Sequence, residues 1–436
     1  MLALSVAALS SAASYIPAVR PCATRCAAPR AVSTFAAGST EDEWKWWFTV
    51  PFLAPYGERR TELREIVKGQ VWTLDQLQGT FQVHVPTRAT VVKLPSTGGL
   101  LVYAPVAPTP RCIKLVRELE AAHGPVQHII LPTVCVEHKF VCGPFARNFP
   151  TAQCWVAPDQ YALPVNLPLP FLGFPIGTKT LPPTEHGTPW AADCAHTLLG
   201  PLDSKQGKFE EVAFLHRPSR TLMVVDSVVA ISPTPPSLLE EAPAPLLFHS
   251  RDDMTQPVID TAAARLKGWM RIVLFALYFR PGGLKIVEGA DNVFGGALQS
   301  PERTNKELGW FGIYPFEWQP GWERSFEALQ GGLFVAPGLQ TIIFNRFPEQ
   351  VLDWVETVAA WDFERVIPAH LDGPVKADGK VWREAFRFLE ETGALGNLGM
   401  VGPRLLSEDM SLINEAEVGL VKDGTILPRA PLAKRR

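Results

Sequence analysis

Glu137 and His138 stand side by side just past the apolar run His128-Ile129-Ile130-Leu131-Pro132, setting a carboxylate beside an imidazole. A second histidine, His370, closes the apolar run Val366-Ile367-Pro368-Ala369. Asp226 closes a third run, Leu222-Met223-Val224-Val225. Imidazole nitrogens and carboxylate oxygens are donors for zinc, iron and manganese. Three apolar strands, each delivering a metal-competent side chain at its carboxyl end, match the way α/β proteins commonly build sites.

The elements that must place these side chains can be read from hydrophobic period. Residues 89–94 and 100–103 alternate around the turn Ser96-Thr97-Gly98-Gly99 and read as a hairpin. Pro110 to Ala122 carries helical apolar spacing through Ile113, Leu115, Val116 and Leu119. A strand is expected over Val126 to Leu131, a helix after His138, and a strand over Cys154 to Ala157. Glu211 to Leu215 and Thr221 to Val225 read as a second hairpin. Later come a strand over Gln340 to Phe344, an amphipathic helix over Pro348 to Ala360, a strand over Arg365 to Pro368 and a helix over Val381 to Thr392. Strand and helix alternate, which argues an α/β fold. The chain divides into a leader at 1–40, an N-terminal extension at 41–87 with Trp44, Trp46 and Trp47 as anchors, a main domain at 88–395, and a C-terminal tail at 396–436. Residues 230–335 form an insertion within the main domain.

Composition narrows the function classes. Of 436 residues 47% are apolar, enough for a sizeable core, and the net charge of −3 gives no polyanion-binding face. Nucleic acid is therefore excluded as a partner; the final Lys434-Arg435-Arg436 reads as a solvated tail. Seven cysteines at irregular spacing form no disulfide framework, which points to a reducing compartment. The longest apolar run, Ile272 to Phe279, is about half of the roughly 20 residues that span a bilayer. It reads as a core helix; a peripheral membrane contact with Arg271 and Arg280 at headgroups is the alternative. No P-loop, dinucleotide fingerprint or nucleophile elbow occurs.

Residues 1–40 contain no acid, are rich in alanine and serine, and space Arg20, Arg25 and Arg30 along their length. This is transit-peptide composition. Plastid import is the first reading, with mitochondrial import or secretion as alternatives.

Three phrases carry a resemblance: Gly124-Pro125-Val126-Gln127-His128-Ile129-Ile130-Leu131-Pro132, Val212-Ala213-Phe214-Leu215-His216-Arg217-Pro218-Ser219-Arg220-Thr221, and Phe363-Glu364-Arg365-Val366-Ile367-Pro368-Ala369-His370. They resemble the cyanobacterial and plastid domain of unknown function 4336, within the metallo-β-lactamase-like superfamily. The resemblance covers roughly residues 85–395 and implies an αββα sandwich with a helical insertion. The superfamily's H-x-H-x-D-H motif falls on Thr133-Val134-Cys135-Val136-Glu137-His138, its bridging aspartate on Asp226 and its last histidine on His370. The first two motif histidines are Thr133 and Cys135 here, and no histidine stands near Gly207, where the superfamily has its next one. One of the superfamily's two metal positions is thus dismantled. The other retains Glu137, His138, Asp226 and His370, a sound set for one divalent ion, zinc first, iron or manganese otherwise. Cys135 offers a soft donor that favours zinc.

The resemblance implies a metal-dependent hydrolase acting on a small-molecule ester, thioester, lactone or phosphoester, with no separate general base to name. The alternative is a catalytically silent scaffold serving binding or assembly in the plastid. Oxygen or redox chemistry at iron, found in some branches of the superfamily, is a third reading. Plain structural roles stand beside each assignment. Glu137 and His138 suit a helix N-terminus, Asp226 a cap, His370 a loop hydrogen bond, and Cys135 a small buried hydrophobe. His196 could reach the centre only if its loop folds back, and His216 reads as a turn residue.

Overall fold

A computed structural model describes residues 40–44, 57–80, 82–160, 167–205, 207–390 and 405–432. The expected leader, the anchors Trp46 and Trp47, and the terminal Lys434-Arg435-Arg436 lie outside the described residues; the leader reaches them only at Thr40.

The first sheet has seven strands in sequential order: β1 (Glu62–Val67), β2 (Val71–Thr80), β3 (Val83–Leu94), β4 (Gly99–Tyr103), β5 (Val126–Leu131), β6 (Gln153–Val156) and β7 (Lys179–Thr180). The first four meander antiparallel; from β4 onward neighbours run parallel. The sheet begins earlier than the alternation at 89–94 suggests, because β1 and β2 pair into it. The second sheet has the order β8 (Cys194–Asp203), β9 (Lys208–His216), β10 (Thr221–Val224), β11 (Arg365–Pro368), β12 (Val375–Lys376). Within it, β10 and β11 pair in parallel and the other contacts are antiparallel.

The period of two along each strand creates the layers. Leu100, Val102, Ile129 and Leu131 face one way, onto helices α1 (Pro110–His123) and α2 (Val136–Ala146), where Val116, Leu119, Cys142 and Phe145 meet them. Their neighbours Leu101, Tyr103 and Ile130 face the other way and meet Val212, Phe214, Met223 and Ile367 of the second sheet. The opposite face of that sheet, with Ala213, Leu215, Leu222 and Val366, is covered by Val351, Trp354, Val355 and Val358 of α4 (Pro348–Ala359) and by Trp382 of α5 (Gly379–Glu384). The result is the expected αββα sandwich.

The insertion builds a core of its own. Its central helix α3 (Ala262–Tyr278) buries Trp269, Leu274 and Phe275 against Phe248, Tyr314, Trp318 and Trp322. Most of the apolar run at 272–279 is thus core: Leu274 and Phe275 are buried, and Phe279 is half-buried. Truncating fully buried Leu274 to alanine is expected to cost about 2–5 kcal/mol. Urea denaturation reads that loss; a change near zero would place Leu274 at the surface.

Three expectations need correction. The segment expected as a strand at 340–344 is helical, Pro337–Ile342 followed by Phe344–Arg346. Pro337 occupies the first turn, where its fixed φ favours helix, and Leu339 and Ile343 face the core four residues apart. The helix expected at 381–392 ends early, at Glu384, with a short turn at Arg387–Leu389. The expected tail contains a docked helix, α6 (Ser411–Lys422). Ile413 and the preceding Met410 join the insertion core, and Glu417 accepts hydrogen bonds from Arg346 at 2.9 Å and Arg429 at 2.7 Å.

Candidate metal centre

Strand register brings Asp226 and His370 together. Val224 of β10 pairs with Pro368 of β11, and each candidate donor lies two residues beyond that pair. The Ala369 N–H donates to the Val224 carbonyl at 3.0 Å, so the parallel strands stay in step past their formal ends. The third segment comes from the first sheet. Past β5, the Pro132 carbonyl accepts from the Val212 N–H at 2.7 Å, tying the loop to β9. Helix α2 then starts at Val136, before His138 rather than after it as expected, so Glu137 and His138 sit in its first turn. Cys135 is at the N-cap position but makes no side-chain cap bond.

The donors converge in two overlapping groups. His138, Asp226 and His370 place ligating atoms within 4.8 Å of one another, as do Cys135, Glu137 and Asp226. Asp226 belongs to both. All five residues are buried. The Nε2 atoms of His138 and His370 are 2.9 Å apart, and His370 Nε2 lies 3.5 Å from Asp226 Oδ1. Two nitrogens bound tetrahedrally to one zinc would stand roughly 3.3 Å apart, given metal–nitrogen distances near 2.0–2.1 Å. The imidazole pair therefore lies within a few tenths of an ångström of the spacing that zinc requires.

Electrostatics suit the same use. Burial, reinforced by His370, lowers the His138 pKa to about 4, and burial lowers that of His370. Both imidazoles are neutral at pH 7, as ligands must be. Burial and the Asp226 charge push the Cys135 thiol up. That thiol lies beside the Asp226 carboxylate and needs an ion to displace its proton. The His138 shift sets a pH dependence. Unfolded, this residue takes a proton near 6.5; folded, it refuses one until about 4. Its contribution to stability is thus complete above 6.5 and falls as the pH drops toward 4. In metal-free protein, His138→Gln removes that loss, so the variant gains on wild type by about 1.4 kcal/mol per pH unit across the window. Urea denaturation on either side of pH 6 checks this, and a constant difference would contradict it.

Two residues that sequence reasoning missed hold the segments in place. Arg88, on β3, donates from Nε to Asp75 at 2.6 Å, from Nη1 to the Pro368 carbonyl at 2.9 Å and from Nη2 to the Leu371 carbonyl at 3.2 Å. Leu371 has φ 59°, a left-handed conformation that side chains other than glycine's resist, directly after His370. Glu211, on β9, is fully buried and its carboxylate faces the turn that carries Asp226. Burial, then the Asp226 charge, raises the Glu211 pKa to about 7. Both residues sit in strands, where a charged side chain at an inward position was the available signal.

The two other histidines weighed above, His196 and His216, take the plain roles. His196 stacks on Phe214 with ring centroids 4.8 Å apart, accepts from Trp190 at 3.2 Å, and contacts the Pro182 carbonyl at 3.0 Å. His216 bonds Ser219 Oγ and the Lys93 carbonyl, both at 2.7 Å, and closes its hairpin. Thr133 accepts from the Cys135 N–H at 3.2 Å and shapes the loop.

Comparison with known proteins gives one family and several distant folds. The family described as domain of unknown function (DUF4336) matches residues 68–388. No curated protein matches the chain. Among solved structures, the metallo-β-lactamase from Pontibacter korlensis is 11% identical, covers 76% of this chain and 100% of its own, and has a TM-score of 0.34. A flavo di-iron protein variant from Thermotoga maritima is 9% identical over 75% of this chain and 61% of its own, with a TM-score of 0.38. The mono-zinc form of the metallo-β-lactamase FIM-1 from Pseudomonas aeruginosa is 12% identical over 37% of this chain and 67% of its own, with a TM-score of 0.29.

Proposed function

The chain belongs to the DUF4336 family, and from that premise we propose that it is a metal-dependent hydrolase with a reduced, single-ion centre. The observation that carries this reading is the convergence of His138, Asp226 and His370, whose ligating atoms come within 4.8 Å in a buried cluster. Glu137 and Cys135 complete the donor set from the neighbouring turn. Two imidazoles with carboxylates suit zinc, iron or manganese, and the Cys135 sulfur tips the choice toward zinc. A bound ion would supply Lewis-acid chemistry at an ester, thioester, lactone or phosphoester oxygen. The chain's own part is to present neutral imidazoles, hold Asp226 between them and Cys135, and keep bulk water from the donors.

The burial of all five donors supports a second reading, a catalytically silent scaffold whose ion is structural. Elemental analysis of the full chain, paired with turnover of ester, thioester, lactone and phosphoester panels, separates the two. About one ion per chain with chelator-sensitive turnover is the expected result. An ion without turnover supports the scaffold, and no ion after incubation with zinc, iron and manganese would sink the metal reading. The leader's composition supports plastid import as the setting, tested by imaging a fluorescent fusion of residues 1–40.

A further inference from the structure

We propose that Glu211 is a positioning residue that registers two of the three donor-bearing segments of this centre; the role toward metal rests on the reading just given. Its side chain holds the Asp226 turn. Glu211 Oε1 accepts from the Val225 N–H at 2.9 Å and from Ser227 Oγ at 2.6 Å. Glu211 Oε2 accepts from the Asp226 N–H at 2.8 Å and from the Ser227 N–H at 2.9 Å. Three consecutive backbone N–H groups thus converge on one carboxylate just past the end of β10, as in an anion-binding nest.

The backbone of the same residue holds the other segment. Glu211 pairs with Leu199 inside the second sheet and forms a β-bridge with Thr133 across to the first. Thr133 starts the loop that carries Cys135, Glu137 and His138, and its hydroxyl accepts from the Cys135 N–H at 3.2 Å. Tyr103 reinforces the junction by donating to the Val212 carbonyl at 2.9 Å. Glu211 therefore fixes the distance between the Asp226 turn and the His138 loop, which come from different sheets. It stands apart from both groups of convergent donors, so it acts on an ion through Asp226.

The chemistry demands an acid here. An ionised carboxylate offers acceptors on both oxygens and no donor, whereas an amide turns one of the two into a donor at every pH. Both carboxylate oxygens of Glu211 face N–H groups, so glutamine in either orientation sets a donor against a donor. The sterically matched Glu211→Gln should loosen the turn without opening a cavity.

The test uses the full chain and Co²⁺ as the probe. In Glu211→Gln, Co²⁺ affinity is expected to fall about 10- to 100-fold, the usual effect of losing an outer partner of a ligand. The Co²⁺ absorption spectrum should change as Asp226 reorients, while the thermal midpoint of the metal-free variant stays within a few degrees of wild type. In the metal-free variant, the amides of Val225, Asp226 and Ser227 should exchange faster, with those of Thr197 and Ala213 unchanged. Ser227→Ala, which removes one of the four bonds, should weaken Co²⁺ by less than about threefold. Wild-type affinity and spectrum in Glu211→Gln would overturn the proposal. Should that variant not fold, Glu211→Asp carries the test, because it keeps every acceptor but withdraws them from the turn; wild-type Co²⁺ binding there would overturn the proposal equally. If wild type itself takes no Co²⁺, the metal reading fails separately. Amide exchange then decides the clamp alone: faster exchange at 225–227 sustains it, and unchanged exchange overturns it.

Discussion

Metal uptake should vanish in the double variant His138→Ala/His370→Ala. These residues supply both imidazoles of the central group, with Nε2 atoms 2.9 Å apart. Their removal leaves a carboxylate and thiol set that must bind an ion without nitrogen. Affinity should fall by more than the roughly hundredfold that losing an outer partner costs. The effect has a thermodynamic shadow. An ion at about a thousand times its Kd stabilises the folded state by about 4 kcal/mol. Adding zinc should therefore raise the unfolding midpoint of wild type and leave that of the double variant unmoved. Equal zinc stabilisation of both proteins would place the ion elsewhere and remove the support for a hydrolase built on this cluster.

The second large effect should come from a residue that touches no candidate donor directly. Arg88 is buried, paired with buried Asp75, and bonded to carbonyls on both sides of His370. Arg88→Met keeps the stem and deletes the charge. It leaves the Asp75 carboxylate with Arg64 at 2.6 Å and leaves two carbonyls without their donor. Removing one member of a buried pair costs about 3–5 kcal/mol. The left-handed backbone at Leu371, with φ 59°, also loses a restraint. Urea denaturation should show the loss, and zinc affinity should drop with it. A variant as stable as wild type would mean that the His370 segment is held by its strand pairing alone.

Much of this arrangement could be read from residue order. Leu100 to Tyr103 and Ile129 to Leu131 alternate between the two apolar layers, so their strand character and depth were visible as a period of two. His138, Asp226 and His370 were visible because each follows such a run and each is an unusual residue for a buried end. Three features were not legible, for different physical reasons. Residues 337–342 are apolar enough for a strand, and only tertiary packing with Pro337 at the first turn selects helix. The helix at Ser411–Lys422 reaches a partner surface far back in the chain, with Glu417 bonded to Arg346 71 positions earlier, so no local pattern announces that it docks. Arg88 and Glu211 stood out only as charges at inward strand positions, and most of their partners are backbone groups, which every residue carries, so the sequence does not say what they hold.

His138 and His370 lie 232 positions apart, and the parallel pairing of β10 with β11 closes only after the whole insertion. On the ribosome, the last core strand therefore emerges late, long after the first sheet has left the exit tunnel. Contacts of such high sequence separation slow folding and leave unpaired strand edges exposed meanwhile. The donor set does not exist in the nascent chain. An ion bound by both imidazoles would have to be acquired late, at about the moment the second sheet closes, and a truncation upstream of His370 would leave His138 as the one imidazole of the set.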